Sequence, residues 1–215
     1  MNNESFKSIF AKAIMSGIMI GTGCTVYLLS ENKYIGGFLF SFGLFTIIQY
    51  GFALYTGKVG YIPEKKPVYI REVLITLLGN ITGTGIMSLM IKATRMGEKV
   101  HQNALPVAEA KVGDSLPSQI ILSFFCGMLM YLAVENAKMC RKNKTDASMI
   151  FGTAMPIMVF IFCGFNHSVA DSFYLFSASV SVKGIIYIIN AVIGNALGGM
   201  FIPLMKKFFD KPQTE

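Results

Sequence analysis

Long apolar segments alternate with short polar ones along almost the whole chain. A run of about twenty apolar residues is long enough to cross the hydrocarbon core of a bilayer as a helix. Six runs reach this length: 8–30, 34–57, 69–92, 117–138, 147–176 and 182–208. The pattern predicts an all-α membrane protein with six transmembrane helices in one domain over residues 1–215. The first run lacks a small-residue cleavage site, so we interpret it as a span and not as a removed signal.

Two of the runs contain residues that interrupt a helix. Gly51 and Gly57 lie in the latter half of the second run. The fifth run contains Pro156 and Gly164, followed by the polar stretch "NHSVAD". Glycine and proline both weaken the interior of a helix. We therefore expect the second and fifth spans to break partway.

The two interrupted spans belong to an internal repeat. "GFALYTGK" begins at Gly51 and "GFNHSVAD" at Gly164, so His167 corresponds to Leu54. In the spans that follow, "GNITGTG" begins at Gly79 and "GNALGGM" at Gly194. Each half, about 8–92 and 117–208, then holds three spans, and an odd number inverts the second half in the membrane. In inverted repeats the transport pathway runs near the midplane, where the interrupted helices meet.

The charge content agrees with a membrane protein and indicates its orientation. Charged residues make up 14% of the chain, against about 25% in a soluble domain. Basic residues beside the spans account for the net charge of +7, and nucleic acid is not an expected partner. With the N-terminus inside, thirteen Lys and Arg residues lie inside and six outside. We expect both termini in the cytoplasm and the protein in the cytoplasmic membrane.

The few cysteines and histidines of this sequence do not favour a metal site. The four cysteines show no paired spacing, and we expect them to be small buried hydrophobic residues. Of the two histidines, His167 lies in the fifth span and His101 in a predicted loop. We expect no metal cluster and no cofactor.

The sequence resembles the formate–nitrite transporter family, which includes hydrosulfide channels. The resemblance rests on "GFNHSVAD", on the two GNxxG motifs and on "FSFGLFTIIQYGFALYTG" in the second span. It covers essentially the whole chain. It implies an aquaporin-like fold and a homopentamer in which each subunit has its own pore for small monovalent anions.

The same resemblance implies a set of pore residues at the two breaks. His167 corresponds to the central pore histidine of the family, and Asn195 to a nearby asparagine of the sixth span. Leu54, Tyr55 and Thr56 fall on the loop that interrupts the second span. Thr56 is the residue whose hydroxyl can meet the histidine.

Four further residues are implied farther along the pathway. Phe40 and Phe160 correspond to aromatic residues of a cytoplasmic constriction, and Leu44 to a neighbouring pore-lining leucine. Lys111 corresponds to a lysine of the periplasmic vestibule, where it would attract anions.

The chain departs from the family pattern at several of these places. Asn166 stands where a glutamate is usual, and Asp171 where an asparagine is usual. Tyr55 replaces a phenylalanine. Gly127 replaces an asparagine of the fourth span, and we expect this glycine to widen its surroundings. For Asp171 we expect a role in capping a helix or pairing with backbone amides at the break.

Weak-acid chemistry explains how such a pore can work. A charged group in the bilayer centre costs about 2.5–3.5 kcal/mol or more, so an anion crosses an apolar constriction poorly. Formate, nitrite and hydrosulfide can take up a proton and cross as neutral molecules. Histidine has an ordinary pKa near 6.5 and can protonate or stabilise the anion between apolar constrictions.

Several alternatives remain at the level of sequence. A single pore histidine is as compatible with a proton-coupled anion symporter as with a channel. A pore for a neutral small solute is a third alternative. A membrane enzyme is disfavoured, because Ser168 adjoins His167 in sequence and neighbours on a helix do not face each other. Asn80 and Asn195 have the simpler alternative of plain interhelical hydrogen bonding.

Overall fold

The computed structural model describes residues 5–143 and 146–209, and the regular structure within these ranges is helical. The elements in chain order are α1 Phe6–Leu29, α2 Lys33–Tyr50, α3 Tyr55–Lys58, a 3₁₀ turn Val59–Glu64, α4 Val68–Lys92, α5 Gly97–Gly113, α6 Leu116–Asn143, α7 Asp146–Phe162, α8 Ser168–Ser177 and α9 Val182–Phe209.

Four of these helices are long and apolar enough to cross a membrane unbroken. They are α1, α4, α6 and α9, with 24, 25, 28 and 28 residues. They coincide with the first, third, fourth and sixth predicted spans. The all-α membrane fold predicted from the sequence is therefore confirmed.

The second and fifth predicted spans are divided, as their glycines indicate. The chain bends by 57° between α2 and the segment made of α3 and the 3₁₀ turn. In the fifth span, residues 163–167 separate the 17-residue α7 from the ten-residue α8. At 1.5 Å per residue α7 is about 25 Å long, so it falls short of a full crossing by itself.

Both breaks begin with the same backbone turn. Gly51 has φ of 65° and Gly164 has φ of 68°, in the left-handed region that favours glycine. In each break the next residue donates its N–H over 2.9 Å to the carbonyl five residues earlier. These bonds run from Phe52 to Ile47 and from Phe165 to Phe160. Each helix therefore ends in a Schellman-type cap, and the repeat read from the sequence extends to its backbone hydrogen bonds.

Glycines let the long helices of each half pack with their backbones in contact. A Cβ atom on Gly83 of α4 would overlap the carbonyl of Ile14 in α1. A Cβ atom on Gly198 of α9 would overlap the carbonyl of Phe124 in α6. These are the last glycines of the two GNxxG motifs, so the motifs do provide close helix approach.

Three expectations from the sequence need correction. Gly127 does not widen its surroundings, because a Cβ atom there would overlap the backbone of Asn195. His101 lies on helix α5 and not in a loop. Cys24 and Cys126 are buried as expected, but Cys140 is partly exposed, and Cys163, at the turn that ends α7, is exposed.

We predict that Gly198→Ala destabilises the protein, since its methyl group has no room against the backbone of Phe124. Overpacking of this kind costs about 1–3 kcal/mol. The matched control is Gly85→Ala in α4, where the new Cβ meets the ring of Phe176 at an ordinary 3.5 Å. The thermal midpoint in detergent should fall for Gly198→Ala and stay or rise for Gly85→Ala. Equal midpoints for the two variants would contradict close α6–α9 packing.

Candidate functional site

The carboxamide of Asn80, fully buried on α4, satisfies the backbone of the first break. Its Oδ1 accepts the N–H of Tyr55 at 2.8 Å. Its Nδ2 donates to the carbonyls of Ala53 at 2.8 Å and Ala13 at 2.9 Å. One side chain thus bonds the backbone on both sides of Leu54 and ties the break to α1.

Asn195 of α9 does the same for the second break. Its Oδ1 accepts the N–H of Ser168 at 2.9 Å. Its Nδ2 donates to the carbonyls of Asn166 and Ser123, both at 2.8 Å. The residue held between these bonds is His167. The sequence placed Asn195 near His167, and the structure brings the two together through the backbone and not through the imidazole ring.

The two breaks present different side chains at equivalent positions. Leu54 is the N-cap residue of α3, and His167 is the N-cap residue of α8. Both are almost completely buried, with 3% and 1% of their surface exposed. The repeat therefore places an apolar and a titratable residue at the same point of its two copies.

Hydrogen bonds determine which nitrogen of His167 carries the proton. Nδ1 accepts the N–H of Ala170 at 3.1 Å, so in the neutral ring the proton resides on Nε2. Nε2 lies 3.0 Å from Oγ1 of Thr56 and donates to it. Among the described residues this is the only hydrogen bond of the Thr56 hydroxyl, whose own hydrogen remains available. The buried hydroxyl of the adjacent Ser168 likewise has no partner within that part of the chain.

Phe40, Leu44 and Phe160 are buried apolar residues that we call the apolar wall, and Phe160 lies against this histidine. The ring of Phe160 lies 5.6 Å from the imidazole of His167 and 5.8 Å from the ring of Phe40, measured between centroids. Phe40, Phe160 and Leu44 are each less than 5% exposed. Of the residues expected at a constriction, Phe160 thus packs next to the histidine, and Phe40 packs next to Phe160.

Leu44 and Leu54 also line a cavity of about 300 Å³ that we call the basic vestibule. Lys58, Lys138 and Arg141 line the same cavity. Sequence reasoning counted these basic residues for orientation but did not assign them to a site. Lys58 directly follows Gly57 of the second span, and Lys138 and Arg141 lie at the end of the fourth predicted span. These positions were the sequence signal that could have indicated a shared basic site.

Lys111 lies on α5, beside the second break. Its Nζ is 2.9 Å from Oδ1 of Asn166, 3.4 Å from the carbonyl of Phe165 and 3.2 Å from Oδ1 of Asp171. The other oxygen of Asp171 accepts the hydroxyl of Tyr187 at 2.6 Å. Asp171 was expected to cap a helix or to pair with backbone amides at the break, and its carboxylate does have a backbone hydrogen bond at His167. Its side-chain partners Lys111 and Tyr187 were not expected.

Tyr55 holds the first break against α9. Its ring is 3% exposed, and its hydroxyl donates to the carbonyl of Val192 at 2.9 Å. Phenylalanine at this position could not form this bond, so the departure at Tyr55 adds a tie between the two halves.

We predict that Asn195→Asp is strongly destabilising. The carboxylate can still accept from Ser168, but it cannot donate to the carbonyls of Asn166 and Ser123. Each buried acceptor left unpaired costs about 1–3 kcal/mol. The thermal midpoint in detergent measures the loss, and Asn80→Asp should behave alike.

The matched control is Asn190→Asp on the same helix, since Asn190 is half-buried and donates only to Gln119 among the described residues. A midpoint for Asn195→Asp no lower than that of Asn190→Asp would refute the bridging role.

Comparison with known proteins places this arrangement in a family. The family model described as formate/nitrite transporter matches residues 2–209. Formate channel FocB of Escherichia coli strain K12 is 24% identical over 189 residues, which are 78% of this chain and 65% of FocB. This chain therefore spans just under two thirds of the length of that relative. The formate-nitrite transporter of Plasmodium vivax is 23% identical over 241 residues, 94% of this chain and 76% of that protein.

Solved structures show the same fold. A pentameric formate channel with formate bound superimposes with a TM-score of 0.81 at 22% identity, covering 97% of this chain and 98% of that one. An ion channel of the FNT family gives a TM-score of 0.80 at 19% identity, with coverages of 95% and 90%. With its helices, its two breaks and a family match over nearly the full length, the chain belongs to the formate/nitrite transporter family.

Proposed function

We propose that this protein is a membrane channel for small monovalent weak-acid anions, with formate, nitrite and hydrosulfide as candidates. The observation that carries the proposal is the buried hydrogen bond between Thr56 of the first break and His167 of the second. It joins the two interrupted spans at one point, where each half supplies one polar side chain to an apolar interior. Relatives named as formate channels support the same substrate class.

The apolar wall determines the form in which the substrate crosses. Phe40, Phe160 and Leu44 offer no hydrogen bond and no charge to a passing anion, and an unpaired charge in such surroundings is costly. A weak acid avoids this cost by crossing as a neutral molecule. A strong-acid anion such as chloride has no neutral form near neutral pH and would be excluded.

Thr56 and His167 replace part of the water that the substrate loses. The Thr56 hydroxyl accepts from Nε2 of His167, which leaves its own hydrogen free to donate to a carboxylate or nitrite oxygen. The unpartnered hydroxyl of Ser168 is a second donor beside them. Because Nδ1 of His167 is engaged by Ala170, we propose that the ring acts first as a hydrogen-bonding partner. Stabilisation through Thr56 is then its main contribution.

The orientation follows from the distribution of basic residues. We propose that the basic vestibule opens to the cytoplasm, since Lys58, Lys138 and Arg141 all belong to the basic-rich side of the chain. Both termini are then cytoplasmic, and Lys111 lies toward the opposite surface. A cationic vestibule raises the local concentration of anions before they meet the constriction.

We further propose that five subunits assemble, each with its own pore. Large apolar side chains stay exposed along α2 and α7, among them Phe42, Phe151 and Phe162. A groove of about 550 Å³ between these helices is lined mainly by apolar residues. Subunit contacts and lipid would cover these surfaces, and the fold likeness to a pentameric channel supports this assembly.

The proposed selectivity can be tested in liposomes. Purified protein is reconstituted, and the release of formate, nitrite, hydrosulfide and chloride is compared with release from protein-free liposomes. We expect faster release of the weak-acid anions and no acceleration for chloride, which lacks a neutral form. Chloride release as fast as formate release would contradict the proposal.

Variants at the break test the roles of Thr56 and His167. We expect His167→Phe and Thr56→Val each to lower formate release by about tenfold or more, which corresponds to the loss of about one hydrogen bond to the crossing molecule. Thr56→Ser keeps the hydroxyl and should retain most of the rate. Thr82→Val, which removes an exposed hydroxyl of α4, is the matched control. Undiminished release by His167→Phe or Thr56→Val would overturn the assigned roles.

A further inference from the structure

Each of the three N–H donors of the Lys111 ammonium group has a protein oxygen as a partner. A lysine ammonium carries three N–H donors. Three oxygen atoms, from Phe165, Asn166 and Asp171, lie within 3.4 Å of Nζ. The side chain is 14% exposed. An arriving anion could bond this ammonium only by displacing one of the three oxygens.

Asp171 is as fully engaged as its partner. Its side chain is 2% exposed, and its two oxygens contact different groups. Oδ1 pairs with Lys111 and Oδ2 accepts from Tyr187, so the carboxylate links α5 to α9. The backbone N–H of Asp171 also donates to the carbonyl of His167 at 2.8 Å, which places the carboxylate one helical turn from the histidine.

These positions determine what the substrate meets near the second break. A buried carboxylate one turn from His167 would repel an anion if its charge were not cancelled. Lys111 cancels that charge at 3.2 Å, and the neutral amide of Asn166 completes the cluster without adding to it. The attraction of Lys111 for anions is thus largely balanced within the protein.

We propose that Asp171 is the counterion of Lys111, and that anion passage depends on the neutrality of this buried pair and not on a free lysine charge. Lys111 and Asp171 are then positioning residues that fix the second break between α5 and α9. This inference rests on the proposed function for its transport readout, while its stability readout stands independently.

A double-mutant cycle tests the pair. Lys111→Met leaves Asp171 without its countercharge and should lower formate release by about tenfold or more, with a large drop in thermal midpoint. Asp171→Asn keeps one oxygen for the Lys111 ammonium, and its new Nδ2 can donate to the Tyr187 hydroxyl, so its effect should be smaller. The double variant Lys111→Met with Asp171→Asn should recover most of the loss in both readouts, because no charge is left unpaired.

Moving the carboxylate provides a second, independent test. Oδ1 of Asn166 already contacts the ammonium, so a carboxylate at position 166 can reach it. Asn166→Glu alone places two carboxylates around one cation and should impair release. Combined with Asp171→Asn, it should restore release to within about threefold of the wild type if the pair is what matters. Lys99→Met, an exposed lysine on the same helix, is the control and should change neither readout.

The release rates and thermal midpoints of these variants decide whether Lys111 and Asp171 act as a pair. Recovery in the two double variants supports the proposal, and a steeper salt dependence of release in Asp171→Asn, where the cation is no longer balanced, supports it further. The proposal is overturned if Lys111→Met with Asp171→Asn is as impaired as Lys111→Met alone in release and midpoint. If wild-type protein releases no weak acid, the proposed function fails, and the thermal midpoints of the cycle still judge the pair.

Discussion

Two helices of this protein end inside the apolar region, and every backbone group freed at those ends must find a partner there. In hydrocarbon no water is available, and irregular backbone is tolerated only where protein or a wet cavity covers it. Two asparagines meet the requirement with the same set of bonds. Asn80 and Asn195 each accept one N–H and donate to two carbonyls, across the break and across to a neighbouring helix. These two side chains therefore hold the backbone on both sides of Leu54 and of His167.

With both breaks held in place, the first residues of the short helices face a common interior. The first half supplies Leu54 and Thr56, and the second half supplies His167, which Thr56 contacts at 3.0 Å. At their breaks the two halves therefore have the same backbone conformation and differ in the chemistry of their side chains. The difference creates a polar point beside apolar side chains, and the proposed passage of a neutral weak acid rests on this arrangement.

The sequence alone indicated much of this architecture. Hydrophobic run length predicted the spans, and the glycines predicted the breaks, because both signals are local. The repeat in the sequence makes Asn80 and Asn195 equivalent positions of the two halves. The family resemblance brought Thr56 and His167 together, and the structure places them within hydrogen-bond distance.

What the sequence could not show lies between elements that are distant in the chain. The pairing of Lys111 with Asp171 depends on how α5, which looked like a loop, packs against α8. The shared orientation of Lys58, Lys138 and Arg141 toward one cavity depends on the bend in the second span. Gly127 looked like a pore residue, and only the contact between α6 and α9 shows that it serves packing. Asn166 and Asp171, both departures from the family pattern, are explained together because they contact the same ammonium.

The most direct test of the central claim is to follow formate and protons at the same time as formate leaves loaded proteoliposomes. If the substrate crosses the apolar wall as a neutral acid, the lumen becomes alkaline at the rate at which formate is released, and no net current flows. A formate-dependent electrical current without movement of protons would show that the bare anion crosses and would contradict the account.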